Sequence, residues 1–164
     1  MIMAKKTALQ VNVGAMLSPR RIFVLHGQTD KTAVLRQLCV ALSSDLPQVK
    51  ETDLLDKVLQ REQGISTTLD TGLSIPHVRL AEIADFTAAL AVLPEGVPDP
   101  AQPGVSVKVM FLFVSPTDPK FFQKHLQLLS VLASLFQPAF IESLASAKDT
   151  AEIFQRIGGA VSRS

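Results

Sequence analysis

Apolar and polar positions change their period several times along the chain, and the changes mark out alternating strands and helices. Residues 21–26 (RIFVLH) are β-rich, follow the Ser18-Pro19 turn signal and end at Gly27, which predicts a strand. From Thr29 the period becomes helical, with Val34, Leu35, Leu38, Cys39, Ala41 and Leu42 on one face. A second helix is expected after Thr52 as N-cap. It has Asp53 and Asp56 near its start, Leu54, Leu55, Val58 and Leu59 on one side, and Gly64 as its stop. That helix delivers Arg61 and Glu62 at its C-terminal end. Residues 65–77 then read as loop, short strand and loop.

Residues 86–93 and 107–114 are runs of strand length, separated by turn chemistry from Pro94 to Gly104. Apart from Thr87 and Lys108 they are apolar on both parities, as strands covered on two faces are. Thr117-Asp118-Pro119 starts a helix with a capping side chain and proline at its first position. Its stripe is Phe122, Leu126, Leu129, Leu132 and Leu135, and Gln137-Pro138 ends it. Two shorter helices are expected over residues 139–145 and 150–157. The second has Asp149 and Glu152 at capping-box spacing and Gly158-Gly159 as its stop. The class is α/β, a central sheet with helices on both faces.

Composition narrows the function. The 164 residues are 47% apolar, enough for a sizeable core in one domain, and no internal repeat is found. The longest apolar runs, residues 88–93 and 109–114, are far short of a membrane-spanning helix, so the mean hydropathy of +0.28 reflects a dense core. Sixteen basic and fifteen acidic residues leave a net charge of +1, and there is no Trp or Tyr, which argues against nucleic acid as a partner. The basic start of the chain is not followed by a secretory apolar segment, so a cytoplasmic protein is expected. One cysteine, Cys39, forms no internal disulfide and is expected to be buried and inert.

Three histidines remain: His26, His77 and His125. About fifty residues separate each from the next, without HxH, HExxH or a Cys/His cluster, so no metal site is expected. No GxSxG elbow and no Walker loop occur. A histidine that takes up a phosphoryl group is the third option, because neutral imidazole is a good nucleophile near pH 7. His77 suits it, with Pro76 restricting the chain before it and Arg61, Ser66, Thr67 and Arg79 as nearby donors. The plain alternative is a surface or packing histidine.

Arg61-Glu62, Ser66-Thr67 and Gly72-Leu73-Ser74-Ile75-Pro76-His77 together resemble the active-site segment of the phosphotransferase-system enzyme IIA domains of the fructose, mannitol and nitrogen-regulatory type. Pro94-Glu95-Gly96-Val97-Pro98, the strand ending in Ser115-Pro116, and His125-Leu126-Gln127-Leu128-Leu129 continue the likeness in the same order. It covers residues 17–157, leaving 1–16 as a lead-in and 158–164 as a tail. The resemblance implies a central mixed sheet and a phosphotransferase-type phosphohistidine carrier that needs no metal or cofactor. His77 matches the histidine phosphorylated by phospho-HPr or a paralogue, and His125 the second active-site histidine. Arg61 matches the family's arginine, Ser66 and Thr67 the hydroxyl residues of the phosphoryl pocket, and Arg79 a basic residue often found there. An apolar rim for the docking partner is expected, with Phe121 and Phe122 as candidates. His26 matches no motif and reads as structural or exposed.

Two positions depart from the family pattern. Val78 stands where glycine is usual, which disfavours a positive φ, and Asp70 replaces a common glycine, read as a turn residue pointing away. Three roles compete. The regulatory phosphocarrier is favoured, because no IIB part or membrane segment is fused. The others are a sugar-specific IIA protein that donates to enzyme IIB, and a degenerate module that binds partners without transfer.

Overall fold

The computed structural model describes residues 11–64 and 66–163. At its centre β4 (Thr87–Pro98) and β5 (Ser106–Pro116) pair antiparallel. β1 (Ile22–Val24) lies parallel to β4 on one side. On the other side β2 (Leu73–Ser74) and β3 (His77–Leu80) follow one another along β5, both parallel to it. The sheet is mixed, as expected.

Alternation along β4 and β5 divides the core in two. Ala88, Leu90, Val92, Val109, Phe111 and Phe113 face one side, Ala89, Ala91, Leu93, Met110, Leu112 and Val114 the other, and all twelve are buried. The second side is covered by α2 (Lys31–Asp45) and α3 (Glu51–Gly64). The first is covered by the short α1 (Val13–Met16) and by α4 (Phe122–Leu135), α5 (Pro138–Ala145) and α6 (Thr150–Arg163). Covering on both faces is why the strands are apolar on both parities.

Several expected boundaries move. Arg21 is not in the first strand but closes a 3₁₀ turn (Pro19–Arg21), where its Nε donates to Ala88 O at 2.9 Å and Nη2 to Met16 O at 3.1 Å. Thr52 lies inside the first turn of α3, which begins at Glu51. Residues 94–98, read as a turn, continue β4 through an irregularity between Val92 and Val97. Gly96 permits this with φ of +78°, and a side chain there would collide with Ser106. Gly158-Gly159 does not stop α6, because the buried Ile153 and Ile157 hold its stripe against the core. The capping side chain of Asp149 does form, accepting Glu152 N–H at 2.9 Å. Of the lead-in, Val11, Val13 and Met16 pack in the core, while residues 1–10 lie outside the described residues.

Candidate functional site

His77 owes its position to Pro76. The proline has no N–H to give a ladder, so β2 and β3 are separate, and Pro76 O accepts Phe113 N–H at 3.1 Å as the chain re-enters the sheet. Read as a loop residue from the sequence, His77 is instead the first residue of β3, directly opposite Phe113. The residue is 4% exposed, and its ring stacks on Phe113 with 5.0 Å between centroids and 5° between planes. His77 Nδ1 lies 2.7 Å from Ile75 O. A carbonyl only accepts, so Nδ1 carries the proton and Nε2 keeps a free lone pair.

α4 brings His125 to the same place. Its centroid is 5.2 Å from that of His77, and its edge meets Phe113, also at 5.2 Å. His125 Nδ1 is 2.7 Å from the buried Ser115 Oγ at the end of β5. Burial lowers the pKa of His77 below its ordinary 6.5, the Ile75 bond opposes this, and the charge on Arg61 adds to it. His125 is pushed down to about 4 by burial first, then by repulsion from His77 whenever that ring is protonated, and by the positive charges of Arg79 and Arg61. Both rings are therefore neutral at pH 7.

The expected donors are placed unequally. Arg61 is exposed on the last turn of α3 and reaches both imidazoles through its field. Arg79 donates to Thr117 O at 3.1 Å, and its guanidinium carbon lies 5.3 Å from the Phe122 ring centroid, while its buried Nε–H has no partner. The Ser66 hydroxyl donates to Asp99 at 3.2 Å and that of Thr67 to Glu62 at 2.7 Å.

Against this geometry, residues 15–159 match the sequence model of a family described as phosphoenolpyruvate-dependent sugar phosphotransferase system, EIIA 2. The chain belongs to the EIIA 2 family. A nitrogen regulatory protein of Pseudomonas aeruginosa is 26% identical over 147 residues, covering 90% of this chain and 94% of that protein. The fructose-specific EIIA component of Haloferax volcanii is 31% identical over 109 residues, 65% of this chain and 70% of the relative. The crystal structure of the nitrogen regulatory protein IIA-Ntr from Neisseria meningitidis superimposes with a TM-score of 0.78 at 27% identity, covering 88% of this chain and 98% of that one.

The two departures of this EIIA chain cost its backbone little. Val78 sits in regular β3 opposite Val114, and no non-glycine residue among those described has positive φ. Asp70 is exposed in the turn closed by Gly72 N–H donating to Leu69 O at 3.0 Å. Phe121 packs against the core, whereas Phe122 is 48% exposed and Leu126, one turn on, 50%. Phe122 and Leu126 are thus the exposed apolar side chains of α4, and its buried face is His125, Leu128 and Leu132. His26 is exposed, with Nδ1 2.9 Å from Glu95 Oε2. Cys39 is buried, its pKa pushed up to about 12 by burial first. No group of acidic, Cys or His ligands suited to a metal occurs among the described residues. Nor is any single helix among them long and apolar enough to cross a membrane.

Lys31 and Asp99 carry no motif in the sequence, and Ser115 enters the resemblance only as the end of a strand. Ser115 looks like the polar end of a strand, Lys31 like a helix-start lysine, and Asp99 like turn chemistry between two prolines. Only the fold brings each to the site.

The two depressed imidazoles predict a pH dependence of stability. Between about 6.5 and about 4 the unfolded chain binds more protons at these positions than the folded one. Stability therefore falls as pH falls through that window. Asp99, lowered to about 2 although burial opposes this, mainly by hydrogen bonds from Thr68 and Lys31, adds a separate loss below its ordinary 3.8. Thermal denaturation from pH 7 to pH 4 should show the slope, and His125→Gln should flatten it.

Proposed function

We propose that this EIIA chain is a cytoplasmic phosphocarrier that takes a phosphoryl group on His77 Nε2 from the phosphohistidine of an HPr-type protein. The observation that carries the reading is the His77 Nδ1–H bond to Ile75 O, which leaves Nε2 as the nucleophile. The Nε2 lone pair attacks phosphorus while the N–P bond to the donor imidazole breaks and its electron pair returns to the donor ring. The proton stays on His77 Nδ1, donated to the Ile75 carbonyl, throughout. A neutral acceptor ring is required, and burial keeps it neutral.

His125 stabilises the transferred group. With the Ser115 hydroxyl donating to Nδ1, the His125 proton sits on Nε2 and is available to a phosphoryl oxygen. Arg61 supplies positive field from the rim, and Arg79 holds the 117–118 turn and Phe122 in place. Ser66 and Thr67 shape the pocket through the carboxylates that hold them. Phe122 and Leu126 form the apolar rim on which the donor and later partners dock transiently.

The regulatory branch is favoured by relatives that span nearly the whole chain under nitrogen-regulatory names. The fructose-specific relative, more identical over a shorter stretch, supports the second reading, donation to enzyme IIB. Incubation with phosphoenolpyruvate, enzyme I and HPr-type protein should place one acid-labile phosphate on each chain. Rapid discharge of that phosphate to a fructose-type IIB would favour the sugar role. Retention would favour the regulatory one, and no uptake from any HPr-type donor would leave only the binding module.

A further inference from the structure

Four short stretches of chain, around residues 31, 62, 67 and 99, meet at one ammonium. Lys31, the first residue of α2, places Nζ 3.0 Å from Glu62 Oε1 near the end of α3 and 3.0 Å from Asp99 Oδ2 beyond β4. The side chains are 13%, 11% and 2% exposed respectively. The same carboxylates hold the fourth segment, residues 66–68. Asp99 accepts from the Ser66 and Thr68 hydroxyls, and Glu62 accepts from the Thr67 hydroxyl.

That segment is also tied to His77. Ile75 N–H donates to Thr67 O at 3.1 Å, and Thr68 bridges to Ser74. Ile75 O in turn accepts the His77 Nδ1 proton. A continuous path of hydrogen bonds thus runs from the Lys31 ammonium to the ring of His77.

We propose that Lys31 is a positioning residue for phosphoryl transfer, one that fixes residues 66–68 through Glu62 and Asp99 and thereby fixes the tautomer and direction of the His77 ring. It rests on the phosphocarrier reading of His77. Without the ammonium, two enclosed carboxylates face each other uncompensated. They separate, the hydroxyls anchored to them shift, and the Ile75 carbonyl shifts with them. Lys31 offers nothing to a docking protein, because its charge is enclosed by its partners.

The test uses Lys31→Met in the full chain with an HPr-type donor. The expected result is a fall in kcat of roughly 10- to 100-fold, the usual effect of misplacing a reacting atom, with KM for the donor unchanged. The endpoint stays at one phosphate per chain, which separates misplacement from partial unfolding. Lys31→Arg should recover part of kcat. The ¹⁵N spectrum of unphosphorylated His77 should show Nδ1 protonated in the wild type and a mixture of tautomers in Lys31→Met. Should the Met variant fail to fold, Asp99→Asn carries the same two measurements, with smaller changes of the same sign. Wild-type kcat and a wild-type tautomer in a folded variant would overturn the proposal. The tautomer comparison needs no phosphate, so it decides the role of Lys31 even where the wild type takes up none and the phosphocarrier reading falls.

Discussion

His77→Ala should take up no phosphate from phosphoenolpyruvate, enzyme I and an HPr-type donor, while the wild type reaches one per chain. The loss should be complete, because the substitution removes the atom that forms the N–P bond. Replacing His125 is expected to behave differently. His125→Ala keeps the nucleophile and loses a hydrogen-bond donor to the phosphoryl oxygens, a change that slows transfer by about 100-fold or more. Time-resolved labelling of the two variants separates these roles. Labelling that persists in His77→Ala would remove the site assignment, and wild-type rates in His125→Ala would return His125 to a packing role.

Phe113→Ala should give the largest loss of stability of any single change near the site. Phe113 is fully buried, stacks on His77, and meets His125, Phe86 and Phe111. Truncating a buried phenylalanine leaves a cavity and costs about 3–5 kcal/mol. For a chain of this size that corresponds to a fall in Tm of roughly 10 °C. The functional consequence follows from the same contact. The cavity admits water beside His77 and relieves the burial that lowers its pKa, so the His77 titration should move up toward its ordinary value. Calorimetry and an NMR titration measure the two effects. An unchanged Tm would contradict the central place given to this ring.

The strands at the centre of the sheet were legible because they are apolar on both parities, and most helices because their stripes keep a single period. In α4 the expected stripe through Phe122 and Leu126 is off the buried face, which is His125, Leu128 and Leu132. What escaped was governed by contacts remote in sequence. β3 contains Arg79 and is only four residues long, so nothing local distinguishes it from a loop until β5 lies beside it. Residues 94–98 carry two prolines and a glycine, the usual signs of a turn, yet the irregularity they build keeps the chain in the sheet. Gly158-Gly159 signals a stop that tertiary burial of Ile153 and Ile157 overrides. At the site, His77, His125 and Arg61 stood out by motif. The grouping of Lys31 with Glu62 and Asp99 did not, although Glu62 belongs to the Arg61-Glu62 motif, because a buried lysine has the same letter as a solvated one.

The most direct test is the position of the phosphorus on the protein. With uniformly ¹⁵N-labelled chain phosphorylated through an HPr-type donor, a ¹⁵N–³¹P coupling should appear at His77 Nε2. His77 Nδ1 should keep its proton and its bond to the Ile75 carbonyl. A phosphate found on Nδ1, or on any residue other than His77, would contradict the account.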